Sequence, residues 1–251
     1  MLSKNLNFIS ILGHRISSSE ISDIVEHCFI SKKNLIVNTI NAHSHIVQKD
    51  NIEFRNALNN SNIIIPDGIG IVMASRLLNK ITIRRVTGHD LFISTMKYLN
   101  SSNKSVFFLG STNYVLDKIK CKNNKEYPNI KHGYLSPPFK DKFSDSDINE
   151  FINQINNFAP DVVFIGLTAP KQEILISSMH KYIDVFFISG IGAVFDFYAE
   201  TIKRPNKVFI FFHLEWFGRF IKNPHKMFNR VFISMPLFII EVIKNKIYHD
   251  K

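Results

Sequence analysis

The segment Pro66-Asp67-Gly68-Ile69-Gly70 sets a single carboxylate between the β-branched run Ile63-Ile64-Ile65 and a helical-looking stretch from Ile71 to Leu78. A short β-branched run reads as a buried strand. Paired glycines, Gly68 first, let the backbone turn tightly into a helix whose leading amides point outward. A carboxylate at such a turn, beside donors suited to phosphate, fits a general base working next to an anionic leaving group. Aspartate is also a favoured N-cap residue, and local sequence alone favours capping for Asp67.

Three more strand-like runs end in polar loops: Asn38-Thr39-Ile40-Asn41-Ala42, Leu109-Gly110-Ser111-Thr112 and Gly166-Leu167-Thr168-Ala169-Pro170-Lys171-Gln172-Glu173. Parallel strands share a direction, so these loops should leave one edge of the sheet, with Thr39, Asn41, Asp67 and Gln172 facing one pocket. Their amide and hydroxyl groups suit sugar or nucleobase recognition. Turn chemistry accounts for Thr39 and Asn41 equally well, and Lys171 to Glu173 also reads as the polar first turn of a helix after Pro170. The loop Gly190-Ile191-Gly192 follows a strand but lacks the third glycine of a dinucleotide fingerprint, which disfavours a nicotinamide enzyme. Arg84-Arg85-Val86-Thr87-Gly88-His89-Asp90 puts basic groups beside a helix start, where phosphate binding and simple capping are both open.

Metal chemistry finds little support. Asp145-Ser146-Asp147 has the look of a paired-acid metal motif, but helix capping explains both acids before the run Ile148 to Phe158. His43 and His45 have no third ligand at helical spacing and read as polar helix-face histidines. Cys28 and Cys121 lie far apart, with no second thiol near either, so neither a zinc pair nor a disulfide framework is expected.

A chain of 251 residues, 45% hydrophobic, is long enough for one α/β domain with an appendage. Strand-like runs at Leu35 to Ile40, Ile63 to Ile65, Ser105 to Leu109, Val162 to Ile165 and Val185 to Ile188 are each separated by enough chain for a helix. That alternation predicts a mostly parallel sheet with helices on both faces, joined by right-handed crossovers. A further strand is expected around Lys131 to Leu135, and a strand or hairpin around Phe8 to Leu12. Helix starts are expected near Ser18 to Ser19, Gly88 to Asp90, Ser144 to Asp147 and Pro170. Lys122 to Tyr127 and Pro137 to Phe143 read as surface loops.

The charge is uneven. From Lys203 to Lys251, seven Lys and three Arg stand against Glu215, Glu241 and Asp250, a net of +7 out of +10 for the whole chain. Phenylalanines mix with these basic residues in a helical pattern over Val208 to Tyr248, which we read as two helices parted at Asn223-Pro224. The tail therefore calls for an anionic partner: a membrane surface, nucleic acid or substrate phosphate. Its longest apolar stretch, Val231 to Ile243, falls short of the ~20 residues a spanning helix needs. The polar N-terminus, Met1 to Asn7, has no secretory h-region, so a cytoplasmic location is expected.

Seven blocks in order give the chain its resemblance: Thr39-Ile40-Asn41-Ala42; Pro66-Asp67-Gly68-Ile69-Gly70; Arg85-Val86-Thr87-Gly88; Pro160-Asp161 with Gly166; Ala169-Pro170-Lys171-Gln172-Glu173; Gly190-Ile191-Gly192 with Phe195-Asp196-Phe197; and Leu214-Glu215-Trp216. Together they resemble the WecG/TagA/CpsF glycosyltransferase family, which makes bacterial cell-surface polysaccharides. The resemblance implies a Rossmann-like α/β domain over residues 1–202 and a basic helical appendage over 203–251 that binds the membrane and closes the active site. It further implies inverting transfer from a UDP-sugar to a sugar on polyprenyl diphosphate at the inner leaflet, with no metal or other cofactor and no nucleic acid.

By the same resemblance Asp67 becomes the catalytic base, reversing the preference for capping. Thr39, Asn41 and Gln172 would position the sugars and the leaving diphosphate, with Gly68, Gly110, Gly190 and Arg85 in the same substrate-binding blocks. In the appendage, Arg219, Lys226 and Arg230 fall at basic positions suited to phosphate, whereas Asn229 stands where arginine is often found. Lys226 lacks the bidentate fork of an arginine. A nucleotide- or nucleic-acid-binding module with a polyanion-binding tail is the alternative, and a homo-oligomer is left open by the apolar faces of the tail.

Overall fold

The computed structural model describes residues 5–31, 34–202 and 224–249. The proposed boundary at residue 203, Arg219 and the first half of the tail lie outside these residues. A hairpin, β1 (Phe8–Ile11) and β2 (His14–Ser17), turns at Leu12-Gly13, where Gly13 takes a positive φ of 81°. Then follow α1 (Ile21–Ile30), β3 (Leu35–Ile40), α2 (Ala42–Asp50), α3 (Ile52–Asn59), β4 (Ile63–Pro66) and α4 (Ile69–Asn79). The second half holds α5 (Gly88–Ser101), β5 (Ser105–Gly110), α6 (Asn113–Glu126), β6 (Lys131–Leu135), α7 (Asp145–Phe158), β7 (Val162–Gly166), α8 (Lys171–Met179), β8 (Phe187–Gly190) and α9 (Val194–Tyr198).

The eight strands form one sheet in the order β1-β2-β4-β3-β8-β7-β5-β6, antiparallel only between β1 and β2. Alternate side chains feed two cores, as the period-2 geometry of a strand requires. Val37, Ile65, Phe108 and Phe164 face one layer with α1, α5, α6 and α9. Ile36, Phe107, Val163 and Ile188 face the other with α7 and α8. Each fully buried aromatic or branched side chain contributes roughly 1.5–3 kcal/mol, so the sheet is a rigid base for its loops.

Three expectations need correction, and a fourth holds for all but one residue. Lys122 to Tyr127 is not a loop: residues up to Glu126 are the last turns of α6, a helix whose buried stripe is Val115, Leu116, Ile119 and Asn123 and whose other faces are polar. The thin apolar stripe hid the helix. Helix α1 starts at Ile21 with Glu20 as N-cap, later than Ser18 to Ser19, because the Ser19 hydroxyl is taken by the Asn7 amide at 2.8 Å. Strand β8 begins two residues after Val185, although Phe186 already bonds Leu35 and Asp161 through its backbone. Pro137 to Phe143 is a loop, but Phe143 turns inward and meets Phe151 edge to face at 5.1 Å.

The described part of the tail is the second of the two expected helices, one helical run of α10 (Pro224–Phe228), a π-helical segment (Asn229–Ser234) and α11 (Met235–His249). Pro236 has no N–H to give the preceding turn, and the ladder widens just before it. Helix α11 packs on α2 and α4, where Phe238 and Val242 complete a third core with Ile11, Ile16, Ile40, Ile64 and Ile71. Gly70 permits the approach, since a Cβ there would lie 3.3 Å from Ala42 Cβ and 3.5 Å from the Phe238 ring.

Candidate active site

Thr39, Asn41, Asp67 and Gln172 do meet in one cleft, over the C-terminal ends of β4, β3, β8 and β7. Asn41 is the N-cap of α2: its Oδ1 accepts from the Ser44 amide at 3.0 Å, and Ser44 Oγ accepts from the Asn41 amide at 2.8 Å. Turn chemistry and cleft lining thus coexist in one residue, with the capping box holding the side chain in place. The N-cap of α4 is Gly68, at φ +90°, and Asp67 stands one residue ahead of it. Its backbone N–H is tied to Ile40 O at 2.8 Å, which locks the β3 and β4 loops together.

The opposite wall comes from α8 and the loop after β8. Gln172 Oε1 accepts from the Gly192 amide at 2.9 Å, while its Nε2 donates to Glu173 Oε1 at 2.8 Å. Gly190 is the floor beneath Gln172, for a Cβ at that position would lie 2.7 Å from Gln172 Cδ. Glu173 also lines the cleft, is 3% exposed, and has its pKa pushed up to about 6 by burial. The start of α5 closes one side: Thr87 caps it through a box with Asp90, and Thr87, Gly88 and His89 line the cleft. A helix N-terminus and a polar rim suit an anionic substrate.

Some expected residues lie elsewhere. Gly110 is outside the lining; its bare Cα allows contact with Gly166, whose carbonyl oxygen would be 2.6 Å from a Cβ. The β5 loop is spent on structure, with Thr112 capping α6 and Ser111 O accepting from Ser136 Oγ. Arg85 belongs to the stretch that leads into α5, and it is not among the lining residues. Lys226 lies in α10. Arg230, in the π-helical segment, does line the cleft and helps depress the pKa of His43 to about 4, after burial as the main cause. Asp147 is a capping residue, as expected: it joins Ser144 in a capping box and binds Lys140 through both oxygens at 2.8 and 2.9 Å.

The sequence that builds this cleft matches known proteins. The Glycosyl transferase WecG/TagA/CpsF family model covers residues 8–251. The chain belongs to this glycosyltransferase family. A relative from Bacillus spizizenii, named N-acetylglucosaminyldiphosphoundecaprenol N-acetyl-beta-D-mannosaminyltransferase, is 31% identical over 91% of this chain and 88% of its own length. Its namesake in Bacillus subtilis is also 31% identical, over 89% and 85%, and that of Staphylococcus aureus is 26% identical over 95% and 93%.

Like these relatives the chain is a transferase, and its described tail reaches the cleft. The polar side of that docking went unread in the sequence. His43 Nδ1 and Ser234 Oγ lie 2.8 Å apart, and His45 Nε2 donates to Glu241 Oε2 at 3.2 Å. Lys49 also binds Glu241, and His45 Nδ1 lies 3.0 Å from His14 Nε2 on the hairpin. The expectation of polar helix-face histidines is corrected for His45, which is 2% exposed and wholly internal to this network. No helix among the described residues is long and apolar enough to cross a membrane.

Proposed function

We propose that this glycosyltransferase moves a hexose or N-acetylhexosamine-type sugar, N-acetylmannosamine by analogy with its relatives' names, from UDP to a sugar carried on polyprenyl diphosphate. The observation that carries the reading is Asp67 sharing one cleft with Thr39, Asn41, Gln172 and Arg230. UDP-sugars of this type are α-linked, and the relatives' names state a β product. A single displacement accounts for that change. The acceptor hydroxyl gives its proton to Asp67 while its oxygen attacks the anomeric carbon from the face opposite UDP. The bond to UDP breaks with its electron pair going to the diphosphate, whose growing charge meets the amides at the start of α5 and Arg230. No metal or other cofactor is invoked.

The lipid part of the acceptor implies a membrane surface beside the cleft. Basic residues in the tail and the exposed apolar side chains of α10, the π-helical segment and α11 (Phe228, Phe232, Ile239, Ile243) suit an anionic inner leaflet. A mass-spectrometric screen of UDP-sugars against N-acetylglucosaminyl diphosphate on a short lipid tests the reading. A disaccharide product with release of UDP is expected. Absence of product with every UDP-sugar, together with an oligonucleotide mobility shift, would favour the polyanion-binding alternative.

A further inference from the structure

Gln172 has its amide polarity set from two directions. The Gly192 N–H is an obligatory donor and occupies Oε1; an ionised Glu173 is an obligatory acceptor and receives one hydrogen of Nε2. A flipped amide would set donor against donor at Gly192 and acceptor against acceptor at Glu173. Beyond these two bonds the carboxamide keeps the second Nε2 hydrogen and one lone pair of Oε1, and the lock fixes which end of the group can offer each to the cleft that Gln172 lines. Gly190 makes the arrangement rigid, since the carboxamide lies across its bare Cα.

Among the described residues no counter-ion explains the burial of Glu173. It is 3% exposed, and among the described residues its Oε2 has no hydrogen-bond partner and its one side-chain partner is Gln172. Burying a carboxylate this way is costly. A glutamine or methionine would fill the space without that cost, so the acid calls for a role. We propose that Glu173 is a positioning residue that holds Gln172 with its N–H toward the substrate, so that Gln172 recognises an acceptor oxygen: a sugar hydroxyl, an acyl carbonyl or a phosphate oxygen. This rests on reading the cleft as the transfer site.

The lock has a pH limit. Burial pushes Glu173 up to about 6, and a protonated carboxyl can donate as well as accept, so it no longer forbids the flipped amide. Activity should therefore decline on the acid side near that value.

The experiment compares Glu173→Ala, Glu173→Gln and Gln172→Glu with the wild-type chain, using UDP-sugar transfer and hydrogen exchange at the Gly192 amide. Glu173→Ala should speed Gly192 exchange at least tenfold and lower kcat by about 10- to 100-fold, the factor attached to losing a hydrogen bond with a charged group. Glu173→Gln should keep the fold but, because its amide donates as well as accepts, should lower turnover and Gly192 protection at pH 7.5 toward what the wild-type chain shows below pH 6, and should lose the decline below pH 6. Gln172→Glu, which offers only acceptors, should be inactive while folded. Unchanged exchange and unchanged kcat in Glu173→Ala would overturn the proposal, as would an acid-side decline that persists in Glu173→Gln. If the wild-type chain transfers no sugar, the functional reading fails, yet the Gly192 exchange still decides whether Glu173 holds Gln172.

Discussion

His45 and Glu241 are 196 residues apart in the chain and 3.2 Å apart in space, and their contact joins the helix that begins at Asn41 to the helix that follows Arg230. Glu241 is the shared acceptor of His45 and Lys49. Removing it strands the buried imidazole N–H, a loss on the order of 1–3 kcal/mol, and returns the half-exposed Lys49 ammonium to water at little cost. Glu241→Ala should therefore lower Tm by several degrees, at 2–4 °C per kcal/mol for a chain of about this size. It should also reduce turnover, because Arg230 would no longer be held over the cleft. Limited proteolysis within residues 224–249 checks the undocking; an unchanged cleavage rate would mean that Phe238 and Val242 hold the helix alone.

The same network makes stability pH-dependent. His14 and His43 are pushed down to about 4, mainly by burial, and His45 is lowered for the same first reason despite Glu241. Each ionises near 6.5 when unfolded, so below that pH the unfolded chain takes up protons that the fold refuses, and stability falls as pH drops from 6.5 toward 4. Glu173 works in the opposite sense between 4.5 and about 6, since its raised pKa favours proton uptake by the folded chain. Three histidines outweigh one acid. Tm should fall steadily from pH 7 to pH 5, and His14→Gln should flatten the slope.

Asp67→Asn keeps the shape of the side chain and removes its basicity. The backbone bond from Asp67 N to Ile40 O is untouched by the change, and the N-cap of α4 is Gly68. Folding and UDP binding should survive while turnover falls on the order of 10²- to 10⁴-fold, the range of a general base. Near-normal turnover would remove Asp67 from that role.

The readable part of this protein is what lies along short stretches of chain. Five β-branched or aromatic runs defined five of the parallel strands, β3, β4, β5, β7 and β8, and the chain around the ends of β3, β4 and β7 named Thr39, Asn41, Asp67 and Gln172, because polarity at strand ends is a local signal. What stayed hidden depends on contacts between distant residues. Gly192 matters because Gln172, 20 residues earlier, accepts its amide hydrogen. His45 looked like a surface residue because its partners, the part-buried Glu241 and the buried His14, lie on other elements. Gly110 looked like a site glycine because it ends a strand, yet its smallness serves Gly166 on the neighbouring strand.

Gly190→Ala should separate two effects of one methyl group. The added Cβ would fall 2.7–2.9 Å from three atoms of the Gln172 carboxamide end. The carboxamide is the far end of a side chain, so it yields before the backbone does, breaking its bonds to Gly192 and Glu173. A shift in Tm of a few degrees with a loss of most turnover is expected. Adding Gln172→Ala should restore Tm without restoring activity; recovery of turnover in the double variant would show that Gln172 is dispensable.

Helix α11 is apolar on two opposite sides, a pattern that a helix lying on a globular core does not need. Phe238 and Val242 are 2% and 6% exposed, whereas Ile239, Ile243 and Ile247 are each about half exposed, next to Lys244 and Lys246. Half-exposed isoleucines contribute little to folding, so Ile239→Ser with Ile243→Ser should leave Tm nearly unchanged. Each would bury part of the roughly 1.5–3 kcal/mol that a full side chain contributes on leaving water. The pair should therefore weaken co-sedimentation with phosphatidylglycerol vesicles by about 10- to 100-fold, and turnover on a long-chain acceptor should fall more than on a short-chain one. Added salt should weaken binding of the wild-type chain through its basic residues. Unchanged sedimentation in the double variant, alongside a lower oligomeric state in solution, would assign this face to a second copy of the chain instead of lipid.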